Sequence, residues 1–151
     1  MRRRTDSAVH LRRARDFIDR RFADSELRLD DIAAAALMSR SHLVREFARQ
    51  YGVTPGAYLS LRRLERAQDL LRFANLTVTE VCHNVGFTSI GSFSTAFAQR
   101  FGETPSAFQR RWSAATQPRI PGCEILMRSA RDGVVGADRV TQEKRERASA
   151  S

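Results

Sequence analysis

Apolar residues recur at helical intervals over most of the first 113 positions. Leu11, Ala14, Ile18 and Phe22, widened by Phe17, mark one face of a helix from His10 to Phe22. The opposite face carries the pairs Arg12–Asp16, Arg15–Asp19 and Asp16–Arg20, four apart, which lend weak local support. A short second helix is expected over Leu29 to Ala36, with Asp30 and Asp31 at the positive end of its dipole. Its run Ala33-Ala34-Ala35-Ala36 lets a neighbouring helix approach closely. Ser39 is a suitable N-cap for a third helix to about Tyr51, which Gly52 then ends. Pro55 opens a long fourth helix to about Phe73. Tyr58, Leu61, Leu64, Ala67 and Leu71 give it an apolar face, and Arg62, Arg63, Arg66 and Arg72 leave the rest basic. Thr77-Val78-Thr79-Glu80 forms a capping box ahead of Val81 and Val85. Gly86 closes that fifth helix, Thr88 or Ser89 caps a sixth to about Phe101, and Gly102 stops it. Pro105 starts a last helix ending near Trp112. The reading is an all-α, seven-helix domain over residues 8–113.

Part of this pattern occurs twice, fifty positions apart. Phe47-Ala48-Arg49-Gln50-Tyr51-Gly52-Val53-Thr54-Pro55-Gly56-Ala57-Tyr58 returns as Phe97-Ala98-Gln99-Arg100-Phe101-Gly102-Glu103-Thr104-Pro105-Ser106-Ala107-Phe108. A repeat of that length marks a duplicated supersecondary unit. Upstream of each copy, a short helix, a turn and a capped helix follow one another, which is the order of a helix-turn-helix. The first unit spans about 29–51, the long helix at 55–73 is a linker, and the second unit spans about 77–101. In the second unit Val81, Val85, Phe87, Phe93 and Phe97 form the inner face. That leaves Ser89, Ile90, Gly91, Ser92, Thr95 and Gln99 as candidates to meet DNA. In the first unit the corresponding candidates are Arg40, Ser41, His42, Val44, Arg45 and Arg49. Arg45 suits guanine, whereas Arg40 and Arg49 suit phosphate. The linker, about 19 residues long, spans roughly 28 Å at 1.5 Å per residue. That is near the roughly 34 Å of one DNA turn, so two heads fit successive major grooves on one DNA face.

Charge points the same way. Twenty-six Lys and Arg against 17 Asp and Glu give +9 and a pI near 11.2, and Lys144 is the only lysine. Such a balance favours a polyanion, with double-stranded DNA ahead of a membrane. An exposed arginine is ordinarily just solvated surface, and an Arg- and Ala-rich composition also follows from GC-rich coding. The motif reverses that weighting for Arg40, Arg45 and Arg49. Two cysteines, Cys82 and Cys123, make no disulfide framework. Cys82-His83 has no further Cys or His at ligand spacing, so neither a metal site nor a cofactor is expected. No apolar run reaches membrane-spanning length, and Met1-Arg2-Arg3-Arg4 leads into no apolar segment. A cytoplasmic, nucleoid-associated protein is expected. Residues 1–7 read as an N-terminal tail and 114–151 as a flexible C-terminal one. Within the latter, Cys123 to Met127 suits a short strand, and disorder is expected from Thr141.

Gly86-Phe87, Ser92-Phe93-Ser94, Phe97 and Phe101-Gly102-Glu103-Thr104-Pro105 together resemble the signature of AraC/XylS-type transcription regulators. Arg63-Leu64-Glu65-Arg66-Ala67 with Leu70-Leu71 is similar to that family's linker helix. The resemblance implies a bacterial transcription factor, not an enzyme, with RNA polymerase as a candidate partner at promoters. Here the chain departs from the pattern at three places. Leu37 stands at the turn position that Gly86 fills in the second unit, Thr95 stands where the family often has an arginine, and Gly91 weakens the second recognition helix. The first head is therefore expected to dominate affinity. Most such regulators carry a separate effector or dimerisation domain. This chain reads either as a stand-alone member, monomeric on DNA, or as a piece of a longer regulator. The competing class is a sequence-tolerant architectural DNA-binding protein.

Overall fold

The computed structural model describes residues 2–114, which form seven α-helices. They are α1 (Arg2–Arg21), α2 (Leu29–Ala35), α3 (Arg40–Tyr51), α4 (Pro55–Phe73), α5 (Val78–Asn84), α6 (Ile90–Phe101) and α7 (Pro105–Ala114). Six of the seven start where the capping signals put them. Ser39, Thr54, Thr77 and Ser89 each accept a backbone N–H two or three residues into the helix they open. Gly52 and Gly102 end α3 and α6 in the left-handed region, at φ 77° and 78°.

The exception is α1, which begins at Arg2 and not at His10. Its apolar stripe records only where the helix meets its neighbours. Arg2–Val9 contains no proline or glycine, and the cap-forming Thr5, Asp6 and Ser7 lie inside the helix and not at its start, so the backbone runs on as helix beyond the stripe. The N-terminal segment read as a tail is thus helical from Arg2. The expected strand at Cys123 to Met127, the tail beyond Ala114 and Cys123 itself lie outside the described residues.

The helices pack around two separate cores. Leu11, Ala14, Ile18, Ile32, Ala33, Ala36, Leu43 and Phe47 form the first, with Leu59 of α4. Leu64, Ala67, Leu70 and Leu71 of α4 join Val81, Cys82, Val85, Phe93, Phe97 and Phe108 in the second. The linker helix therefore serves both. This corrects its expected apolar face, because Leu59 and Leu70 are buried while Tyr58 and Leu61 are only half-buried. A single stripe does not describe a helix whose buried side changes partner midway.

Polar contacts fix α1 across α4. The Arg62 Nε donates to an Asp19 carboxylate oxygen at 2.9 Å, and the same oxygen accepts from the Tyr58 hydroxyl at 2.9 Å. Burial, and then the hydrogen bond to Asp19, push the Tyr58 phenol up to about 12.

Candidate nucleic-acid interface

Each head is built from a short helix, a tight turn and a capped second helix. The first turn holds Leu37 at φ 54° and the second holds Gly86 at φ 95°. In both, two successive N–H groups return to the end of the preceding helix. Leu37 and Met38 donate to Ala34 and Ala33, and Gly86 and Phe87 donate to His83 and Cys82. This is how the helix end satisfies its free carbonyls. The short helices lie 49 positions apart and the recognition helices 50, so the second turn is one residue longer, at Thr88.

Cap chemistry differs between the copies. Thr77 and Glu80 form a complete reciprocal box, with the Glu80 carboxylate accepting the Thr77 N–H at 2.7 Å and the Thr77 hydroxyl accepting the Glu80 N–H at 3.2 Å. Those bonds hold the Glu80 carboxyl below its usual range. The first head has half a box. Asp31 accepts the Arg28 N–H at 2.9 Å, but an arginine side chain has no acceptor to return the bond.

From these supports α3 and α6 present matching faces. Leu43 and Phe47 are buried, as are Phe93 and Phe97 at the same two positions of α6. The remaining positions alternate in the same order of burial along both helices. Arg40, Ser41, His42, Arg45 and Arg49 are exposed on α3, and Ile90, Gly91, Ser92, Thr95 and Gln99 on α6. Ser89 is exposed and its hydroxyl is engaged as the cap of α6. Val44 is half-buried and lies at the edge of the face, as does Ser94 in the second copy. His42 turns sideways. With Glu46, Arg49 and Gln50 it lines a cleft against Ser7, Ala8 and Leu11 of α1.

The two faces differ in chemistry. The first carries three arginines whose side chains remain 64%, 73% and 65% exposed at Arg40, Arg45 and Arg49. The second presents hydroxyls, an amide, a bare helical backbone at Gly91 and the apolar Ile90. A side chain at Gly91 would meet only the Ser89 hydroxyl, at 3.7 Å, so the fold itself leaves room there. Sequence reading missed the acids beside the arginines. Glu46, only 15% exposed, pairs with Arg49 at 2.5 Å and stands 3.9 Å from Arg45, while Asp30 stands 3.6 Å from Arg40. Such exposed pairs are weak, so the cations remain available to a stronger anion. The signal was present as Glu46 between Arg45 and Arg49, one and three positions away, on a helix already recognised.

Cys82 is a packing residue. It is buried in the second core, burial pushes its thiol up, and the sulfur donates toward the Phe87 carbonyl at 3.8 Å. Among the described residues no group of three His, Cys, Asp or Glu side chains is gathered for a metal, and no helix is long and apolar enough to cross a membrane.

Comparison with known proteins agrees with this geometry. A family model described as a helix-turn-helix domain matches residues 32–111. The chain is 35% identical over 100 residues to the HTH-type transcriptional activator RhaS of Escherichia coli, covering 66% of this chain and 36% of RhaS. The DNA-binding domain of AdpA, a global transcriptional factor solved with a target DNA, superposes with a TM-score of 0.66 at 26% identity. It covers 70% of this chain and 95% of that one. A probable AraC family transcriptional regulator from Rhodopseudomonas palustris gives 0.63 at 26% identity, covering 68% and 96%. The chain spans about a third of the length of the curated relatives it matches. Among them are the Msm operon regulatory protein of Streptococcus mutans and the right origin-binding protein of Escherichia coli. With two helix-turn-helix units on one linker helix, and a family model across both, the chain belongs to the AraC/XylS family.

Proposed function

We propose that this protein is a sequence-specific DNA-binding transcription regulator that sets α3 and α6 into successive major grooves of one DNA face. The observation that carries this reading is the equivalence of the two exposed faces. Two helices bury the same positions, expose the same positions and are capped alike at both ends, on opposite ends of a 19-residue helix. The matched burial leaves the same positions open on both helices, and two equivalent faces suit one ligand with a repeating surface, as DNA repeats once per turn.

The heads have unequal roles in this reading. Arg45 projects from the middle of the α3 face and reads a guanine edge, with Arg40 and Arg49 on flanking phosphates. Ser41, His42 and Val44 complete that contact. The second head contributes shape and apolar contact. Ile90 meets a thymine methyl, Gly91 lets the backbone come close, and Ser89, Ser92, Thr95 and Gln99 supply neutral hydrogen bonds. The protein acts as a monomer on an asymmetric site, recruiting or excluding RNA polymerase, and associates with the nucleoid.

Selection of bound duplexes from random DNA, followed by footprinting and a salt titration, tests this. The expected result is a one-to-one complex over about two helical turns. The site should bind at least about 10³-fold tighter than random sequence at physiological salt. A smaller ratio would identify a sequence-tolerant architectural protein, whose binding is nearly all phosphate contact and salt-dependent.

A further inference from the structure

The two heads have no common core, so something else must hold them at one angle. Leu59 is the last residue of α4 in the first core and Leu64 is the earliest in the second. Arg63 lies between them on the same helix. Its Nε donates to the Phe22 carbonyl at 2.6 Å and its terminal nitrogen donates to the Asp24 carbonyl at 2.7 Å. Both acceptors follow the C-terminus of α1, where free carbonyls and the negative end of the dipole favour a cation. The same guanidinium lies over the ring of Phe87, 5.9 Å from its centre, in the turn of the second head. One side chain thus touches the first head, the linker and the second head.

Gly86 makes this junction tight. A Cβ there would sit 2.9 Å from Arg63 Nε, 2.9 Å from the Phe22 carbonyl and 3.0 Å from that of Ala23. The second turn is therefore packed directly on the end of α1. Its counterpart in the first head, Leu37, is 71% exposed and meets no such surface.

We propose that Arg63 is a positioning residue that fixes the angle between α3 and α6 and so sets the half-site spacing the protein accepts. This rests on the two-headed reading above. Inserting one base pair between half-sites rotates one of them by about 35° and moves it by about 3.4 Å. A rigid pair of heads cannot follow that turn, whereas a pair joined only through α4 can bend toward it.

The neighbouring Arg62 provides the control. It ties α4 to Asp19 of α1 inside the first head, also meets Glu65 and lies over Phe22, and among the described residues none of these partners belongs to the second head. Arg63→Met keeps the aliphatic stem and removes the donors. Arg62→Met removes the local tie alone. Binding is measured on the selected site and on versions lengthened or shortened by one base pair. The wild type and Arg62→Met should lose at least about tenfold on changing the spacing, comparable to a base mismatch, and Arg63→Met less than about threefold. Arg63→Lys, with fewer donors, should fall between. Residual dipolar couplings of the free proteins read the same property without DNA. One alignment tensor should fit α1–α3 and α5–α7 together in the wild type, and two separate tensors should be needed for Arg63→Met.

If Arg63→Met keeps both the spacing penalty and the single tensor, the proposal is overturned. Should that variant not fold, the same two readings on Arg63→Lys decide, with an unchanged penalty and tensor overturning it. A wild-type protein indifferent to spacing would instead remove the two-headed reading. The couplings keep that failure separate from a failure of the clamp.

Discussion

The two turns make opposite predictions for the same residue type. Leu37 holds φ 54°, where an L side chain costs roughly 1–2 kcal/mol relative to the right-handed region. Glycine removes that cost but adds about 0.5–1 kcal/mol of chain entropy in the unfolded state. The lost side chain is 71% exposed, so its burial contributes about 0.4–0.9 kcal/mol of the roughly 1.5–3 kcal/mol for full burial. These terms nearly cancel, so Leu37→Gly is expected to stay within about 1 kcal/mol of neutral, a change of at most about 5 °C in Tm. The reverse experiment at the equivalent position is Gly86→Ala. It adds a methyl 2.9 and 3.0 Å from the carbonyls of Phe22 and Ala23, which are backbone and give little, at φ 95°. Left-handed strain plus overpacking should cost about 2–5 kcal/mol. Helical circular dichroism followed through urea and heat measures both, with an unchanged m-value certifying that stability alone has moved. A fall in midpoint beyond that range for Leu37→Gly would refute a left-handed turn there, and a silent Gly86→Ala would refute the close approach of the second head to α1.

Three further outcomes are expected. Arg45→Ala should weaken binding to the best site by about 1–3 kcal/mol, and Thr95→Ala by clearly less; equal losses in a titration would overturn the dominance of the first head. Gly91→Ala should raise Tm, because helix propensity improves by up to about 1 kcal/mol and the site has room, while weakening DNA binding if close backbone approach matters. Tighter binding by that variant would remove the role given to Gly91. The Tyr58 phenol sits at about 12 in the folded chain against 10 ordinarily, so the folded state holds that proton more firmly. Its stabilisation is complete below pH 10 and disappears as pH rises through 12. Tyr58→Phe should flatten the stability profile over that window, and an unchanged profile would show that the phenol is not the titrating group.

What the sequence showed and what it hid divide by range. Capping boxes, N-terminal prolines and terminal glycines act within four residues, so Pro55–Phe73, Ser39, Thr77, Gly52 and Gly102 could be placed from the chain alone, and the cap of α6 narrowed to Thr88 or Ser89, of which the structure uses Ser89. The start of α1 could not, since Arg2–Val9 carries no apolar stripe and its cap-forming Thr5, Asp6 and Ser7 stand inside the helix and not at its start. The buried register of α4 was misread at Leu59 and Leu61 because a periodicity argument assumes one neighbour, and α4 has two. The exposed faces of α3 and α6 followed directly as the complement of their buried positions. Arg63 was visible as one basic residue among several and as part of the linker-helix resemblance, but not as a contact between the heads. Its acceptors lie 39 and 41 positions earlier, and both are backbone carbonyls that no side-chain pattern reports.

The inequality of the copies follows from this junction. The second turn lies against α1, so only glycine fits at Gly86, and the complete cap of Thr77 and Glu80 steadies the helix leading into it. Movement there would change the angle between the heads. The first turn faces solvent, and a strained leucine is tolerated because its only neighbours are local; nothing in the structure explains why leucine is the residue found. A head whose orientation is fixed by packing is the better reference for register, and neutral groups and close contact suffice for that task. The opposite head then has most to gain from charge, and that is where Arg40, Arg45 and Arg49 stand. In the proposed reading, arginines there add affinity without disturbing the angle, because the Arg63 contacts run from α4 to the end of α1 and to Phe87, and none is to α3. Exchanging the exposed residues of the two recognition helices should therefore preserve the fold while reversing the order of the half-sites. A swapped protein that bound the original orientation would place specificity outside these two faces.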